Sequence, residues 1–129
     1  MKLSEWIEKN RVKIDIEWVV SRPDGLMDKS QNHYCVTVYG ENDYIEVYFS
    51  TGKLADFPEA EDVLSCVASD CRFIEDNPDF DSFCFELGYD PDSRSAEKIY
   101  KACCDQYKMV KDLFGDGAFE EFLDCDINF

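Results

Sequence analysis

Apolar residues at Val12, Ile14, Ile16, Trp18 and Val20 alternate with Lys13, Asp15, Glu17 and Val19. A period of two belongs to a strand with one buried face, so residues 12–20 are expected to form one. A short helix carrying Leu3, Trp6 and Ile7 is expected before it, with Ser4 as its cap. A loop rich in Pro23, Asp24, Gly25, Asp28, Ser30 and Asn32 follows the strand. Next come HYCVTVYG and YIEVYFS, joined through ENDY, which read as a hairpin over residues 33–50. Tyr34, Val36 and Val38 then share a face with Ile45, Val47 and Phe49, and that face can join the first strand in an antiparallel sheet of at least three strands. The opposite face presents Thr37, Tyr39, Tyr44, Glu46 and Tyr48.

From Pro58 onward the spacing lengthens to three and four. Ala60, Leu64, Val67, Cys71 and Ile74 mark a helix of about four turns, with Pro58 near its first position. Asn77-Pro78 opens a second helix with Phe80, Phe83, Cys84 and Leu87 on one stripe and Gly88 as its left-handed terminator. Asp90-Pro91 opens a third that runs through Ala96, Cys103, Tyr107 and Val110 to Gly115, and Asp116 is expected to cap a last one burying Phe119, Phe122 and Leu123. The fold class is therefore α+β. A single domain is expected over residues 1–129, with a helix and antiparallel sheet in 1–53 and about four packed helices in 54–129.

Composition agrees with a cored domain, at 45% hydrophobic and 15% aromatic residues in 129. The first residues carry acids where a signal peptide needs an apolar run, and no stretch approaches the roughly 20 apolar residues of a membrane span. A cytoplasmic protein is expected. Seven cysteines, an odd number, then fit reduced thiols serving mostly as small buried hydrophobes.

Charge changes the picture most. The net charge is −16, and it is unevenly spread: residues 1–53 hold 7 Lys/Arg against 9 Asp/Glu, whereas residues 54–129 hold 6 against 20. Phosphate contacts need lysine and arginine, so nucleic acid and anionic membrane are disfavoured as direct ligands, and a charged partner is expected to be basic. Capping explains part of the acidity: Asp79, Asp81 and Asp92 fall at expected helix starts, Asp92 in the first turn after Asp90-Pro91. Asp56, Glu59, Glu61, Asp62, Asp76 and Glu86 exceed what caps require.

Known acidic chemistries fit poorly. Twelve-residue calcium loops begun at Asp76 or Asp90 place Phe80 or Arg94 at the fifth position and Leu87 or Lys101 at the twelfth. Zinc spacing is missing from the cysteines, and the chain has one histidine. The glycines form neither a dinucleotide fingerprint nor a phosphate loop. His33 stands two residues from Cys35 at the start of a strand without a third residue to orient the pair, and reads as a hairpin surface histidine. No catalytic residue, metal or cofactor is assigned.

The segments DVLSCVASDC, FCFELGYDPDSRSAEKIYKAC and LFGDGAFEEFL resemble a family of small acidic proteins of unassigned activity found in bacteriophages, plasmids and other mobile elements. The likeness covers roughly residues 55–123, and Gly88-Tyr89-Asp90-x-Asp92-Ser93-Arg94-x-Ala96-Glu97 is its most specific piece. It implies an accessory protein of a mobile element.

Two kinds of function are open at this point. One is a DNA-mimic inhibitor of a host nucleic-acid-binding defence protein, of anti-restriction or anti-CRISPR type, presenting Asp56, Glu59, Glu61, Asp62, Asp76, Asp79, Asp81, Glu86, Asp90 and Asp92 to a basic groove. Scale permits it: a domain of this length is roughly 36 Å across, and duplex DNA of that length carries about 21 charges. The other is a protein-interaction module that docks through Tyr39, Tyr44 and Tyr48, its acidity serving solubility. The tyrosine face is available only if the first helix and the loop at 21–32 do not cover it.

Overall fold

A computed structural model describes residues 1–23 and 26–126; Asp24 and Gly25 of the expected loop lie outside the described residues. The order of elements is α1 (Leu3–Lys9), β1 (Lys13–Val19), β2 (Gln31–Tyr39), β3 (Tyr44–Gly52), α2 (Ala60–Asp76), α3 (Phe80–Leu87), α4 (Arg94–Phe114) and α5 (Asp116–Leu123). The fold is α+β, as the periodicities indicate.

The strands form one antiparallel sheet in the order β1-β2-β3. Its register follows from the alternation. Ile14, Ile16 and Trp18 lie opposite Val38, Val36 and Tyr34, which in turn lie opposite Ile45, Val47 and Phe49. Tyr34, Val36, Val38 and Val47 retain at most 2% of their surface. Burial of each stabilises the fold by about 1.5–3 kcal/mol relative to exposure. A slip of one residue would turn this whole set to water, which is why the register is well specified.

Against the inner face pack Leu3 and Trp6 of α1, Val63, Leu64, Val67, Ala68 and Cys71 of α2, Val110 of α4, and Phe119 and Phe122 of α5. Residues from both ends of the chain thus share one core. A second cluster, Ile74, Phe83, Cys84 and Ala96, fastens α3 and the beginning of α4 to the end of α2. Arg72 locks the far end of the chain: its Nε donates to the Leu123 carbonyl and its Nη2 to the Cys125 carbonyl. A cation there satisfies the Leu123 carbonyl that α5 leaves free, together with the Cys125 carbonyl just beyond it, and opposes the helix's negative end.

Several helix starts differ from expectation. Ser4 lies inside α1, whose N-cap position is Lys2 without a side-chain cap. Pro58 precedes α2 by two residues; Glu59 and Asp62 form a reciprocal capping box, the Glu59 N–H donating to Asp62 Oδ2 at 3.4 Å, so these two acids are not in excess of what caps require. In α3, Asp79 is the cap and accepts from the Ser82 N–H at 2.8 Å, while Gly88 ends the helix at φ 72°. Before α4, Asp90 Oδ1 accepts from the Asp92 N–H at 3.0 Å, making a turn that delays the helix. Ser93 is therefore the cap, accepting from the Ala96 N–H at 3.3 Å, and Asp92 lies outside the first turn. Asp116 is the first residue of α5 and Gly115 holds its N-cap position.

Candidate functional site

The sheet has two unlike faces, and the outer one gathers chemistry from all three strands. Strand pairing places Lys13, Tyr39 and Tyr44 in one row, Asp15, Thr37 and Glu46 in the next, Glu17, Cys35 and Tyr48 in the third, and Val19, His33 and Ser50 in the last. Tyr39, Tyr44 and Tyr48 are thus brought to one side. Tyr39 and Tyr44 are directly opposite with ring centroids 5.8 Å apart. Tyr44 is 57% exposed and Tyr39 37%; Asp15, Glu17 and Glu46 are exposed as well. The first helix does not cover this face, because Leu3 and Trp6 are in the core on the opposite side.

The loop after β1 does close one end. His33 is only 1% exposed, so it is not the surface histidine that its place in a hairpin suggests. Its Nδ1 lies 2.8 Å from Ser50 Oγ, and its Nε2 lies 2.7 Å from the Asp28 carbonyl oxygen and 3.1 Å from the Asp28 N–H. Arg22 Nη1 donates to Ser50 Oγ at 2.9 Å, and the Arg22 guanidinium lies 5.4 Å from the Tyr48 ring centre. A serine and a histidine at such spacing would suggest a nucleophile and its base. Here the ring is enclosed, its second nitrogen is occupied by backbone, and the hydroxyl also accepts from Arg22, an arrangement suited to tying the loop onto β2 and β3. Cys35 interacts elsewhere: partial burial and the charge of Glu46 push its thiol up, and a Tyr48 hydrogen bond partly offsets this.

Acids beside the tyrosines give the face its charge. Partial desolvation followed by the neighbouring Asp15 carboxylate raises the Tyr39 hydroxyl above its usual range. Glu46 joins the tyrosines on the hairpin's outer face as its alternation predicts, whereas Asp15 and Glu17 are, in the sequence, only the polar members of an alternating strand. Their common face becomes visible once the strand register is known.

All ten carboxylates considered for a basic groove are exposed, and among the described residues none has an ion-pair partner; Lys9 Nζ and Glu121 pair at 2.9 Å elsewhere. They do not form one patch. Asp56, Glu59, Glu61 and Asp62 surround the start of α2, whereas Asp76, Asp79, Asp81, Glu86, Asp90 and Asp92 surround its end, α3 and the turn before α4. Seventeen residues of helix separate the groups by roughly 25 Å. Among the described residues, no three His, Cys, Asp or Glu side chains are grouped to hold a metal ion, and no helix is long and apolar enough to cross a membrane.

Between the β3 edge and α4 lies a cleft of about 250 Å³ that shares Tyr48 and Glu46 with the outer face. Asp70 of α2 lines it and stays exposed; partial desolvation raises its carboxyl, with a Gln106 hydrogen bond opposing the shift. Comparison with known proteins finds no family model, no curated protein and no solved structure that matches the chain.

Proposed function

We propose that the chain is a non-enzymatic acidic binding protein that docks a basic protein partner on the outer face of its sheet. The observation that carries this reading is the open part of the face, where exposed Tyr39 and Tyr44 are interleaved with exposed Asp15, Glu17 and Glu46, beside a half-buried Tyr48. Tyrosine contributes a large, stiff contact area with a polar end, and carboxylates around it select and steer a basic surface. The remaining acidity of residues 54–129 adds long-range attraction for the same kind of partner. Seven unpaired thiols suit a reducing compartment such as the cytosol.

A second reading keeps the two carboxylate groups at the ends of α2 as the docking surface, in place of phosphates in the groove of a nucleic-acid-binding defence protein. It is favoured by the exposure of all ten acids without ion-pair partners among the described residues, and by the resemblance to proteins of mobile elements. One experiment separates the two. A partner recovered by affinity capture is titrated with wild type, with Tyr39→Ala/Tyr44→Ala, and with Glu61→Lys/Asp76→Lys/Glu86→Lys. Docking through the sheet face predicts a loss of about 30-fold or more for the tyrosine variant, the scale of an interface hot spot. A folded tyrosine variant with full affinity, beside a charge-reversed one that no longer binds, would overturn it in favour of the second reading.

A further inference from the structure

The cleft beside the tyrosine face has walls of two kinds. Glu46, Asp70 and Asp105 contribute three carboxylates, and Arg22 one guanidinium, a net charge of −2. That guanidinium is directed at Ser50 Oγ and the Tyr48 ring. Ile99, Ala102 and Met109 supply an apolar wall from α4. A negatively charged cleft with a hydrocarbon side matches a long basic side chain, whose methylenes lie on apolar surface while its head meets carboxylate.

We infer that this cleft is a specificity pocket for one arginine or lysine side chain of the partner, held between β3 and α4 by Glu46, Asp70 and Asp105. The inference rests on the reading above that the partner is basic and docks on the sheet face. The pocket adds what that face lacks, a concave position that distinguishes one basic side chain from general positive charge. Asp70 fits the role by position: it is exposed at the cleft, open to an incoming cation, and lies in the same lining as Glu46 and Asp105.

The probe for the test is Nα-acetyl-arginine amide, titrated into the isotopically labelled whole chain, with Nα-acetyl-citrulline amide as its uncharged counterpart. Saturable shifts confined to Tyr48, Asp70, Gln106 and Met109 are expected with the first compound and not with the second. Asp70→Asn should weaken binding about tenfold, the effect of one charge-assisted contact. Met109→Lys, which places the chain's own ammonium at the cleft, should abolish it without requiring loss of a carboxylate. Shifts spread over all acidic surfaces, or equal shifts with citrulline amide, would overturn the pocket. The probe needs no partner, so the two readings fail separately. Localised shifts beside an unaffected Tyr39→Ala/Tyr44→Ala variant leave the pocket standing and remove the face, whereas weakened partner binding by that variant without probe shifts does the reverse.

Discussion

The indole Nε1 of Trp6 donates to the carbonyl of Ala118 at 3.0 Å, fastening the first helix of the chain to the last. Phe114 meets the same ring edge-on at 4.9 Å, and Phe122 lies 4.6 Å away. Trp6→Phe should therefore cost about 1–3 kcal/mol, mostly through the lost hydrogen bond, and Trp6→Ala about 3–5 kcal/mol through the cavity. Urea unfolding measures both. A Trp6→Phe variant as stable as wild type would show that the indole N–H contributes nothing.

His33 permits a sharper test because its surroundings contradict its sequence context. A surface histidine would be replaced within about 0.5 kcal/mol, whereas removal of an enclosed ring bonded to Ser50 and Asp28 should cost about 1–3 kcal/mol. His33→Ala is expected to lose that much. Amide exchange over residues 26–30 should quicken more than exchange in the sheet, since the ring ties this segment to β2 through Asp28.

Much of this architecture was legible because it rests on local periodicity. Ile14, Val36 and Val47 each alternate with polar neighbours, and a period of two allows one buried set. Cysteine burial was only partly legible: Cys71, Cys84 and Cys125 are buried, while Cys35, Cys66, Cys103 and Cys104 are half-buried at the margins of the core. Helix starts were read less well, since Asp90, Asp92 and Ser93 are all good caps and the choice depends on the turn that Asp90 makes with the Asp92 N–H. The tyrosine side of the hairpin is legible in its alternation, but placing Asp15 and Glu17 beside it needs pairing across strands separated by a loop, and the cleft needs α4 beside β3. Neither long-range relation leaves a mark in a single segment.

Caps in and before α4 can be distinguished directly. Ser93→Ala removes the acceptor of the Ala96 N–H and should cost about 0.5–2 kcal/mol. Asp92→Ala removes an exposed carboxylate outside the helix and should change stability by less than about 0.5 kcal/mol. Chemical denaturation of the two variants decides the cap, and the opposite order would return it to Asp92.

Stability should fall in alkali. Burial pushes the thiols of Cys71 and Cys103 up to about 12 from an ordinary 9.0, and burial with the Glu75 hydrogen bond pushes the Tyr107 hydroxyl up to about 12 from 10.0. The folded chain keeps these protons after the unfolded chain has released them. Their contribution is thus complete below pH 9 and is lost as the pH rises towards 12. Thermal melts across that range should show a declining midpoint, with the decline reduced in Cys71→Ala and Cys103→Ala. A midpoint independent of pH there would contradict enclosure of these groups.

The acidic surface makes a last prediction about stability in the free protein. With a net charge of −16, self-repulsion is a cost that salt relieves, because the screening length shrinks from about 30 Å at 0.01 M to about 8 Å at 0.15 M. The melting temperature should rise over that interval. Helix position then separates one acid from another. Glu61 is in the first turn of α2, where a carboxylate opposes the positive helix end, and Glu86 is in the last turn of α3, where it adds to the negative end. Glu86→Lys relieves repulsion and improves the helix end together, and should stabilise the fold by about 0.3–1 kcal/mol at low salt. In Glu61→Lys the two effects oppose each other, so little net change is expected. A destabilising Glu86→Lys would mean that repulsion on this surface is not a cost to the fold, and that the acidity around α3 is tolerated without any compensating demand from function.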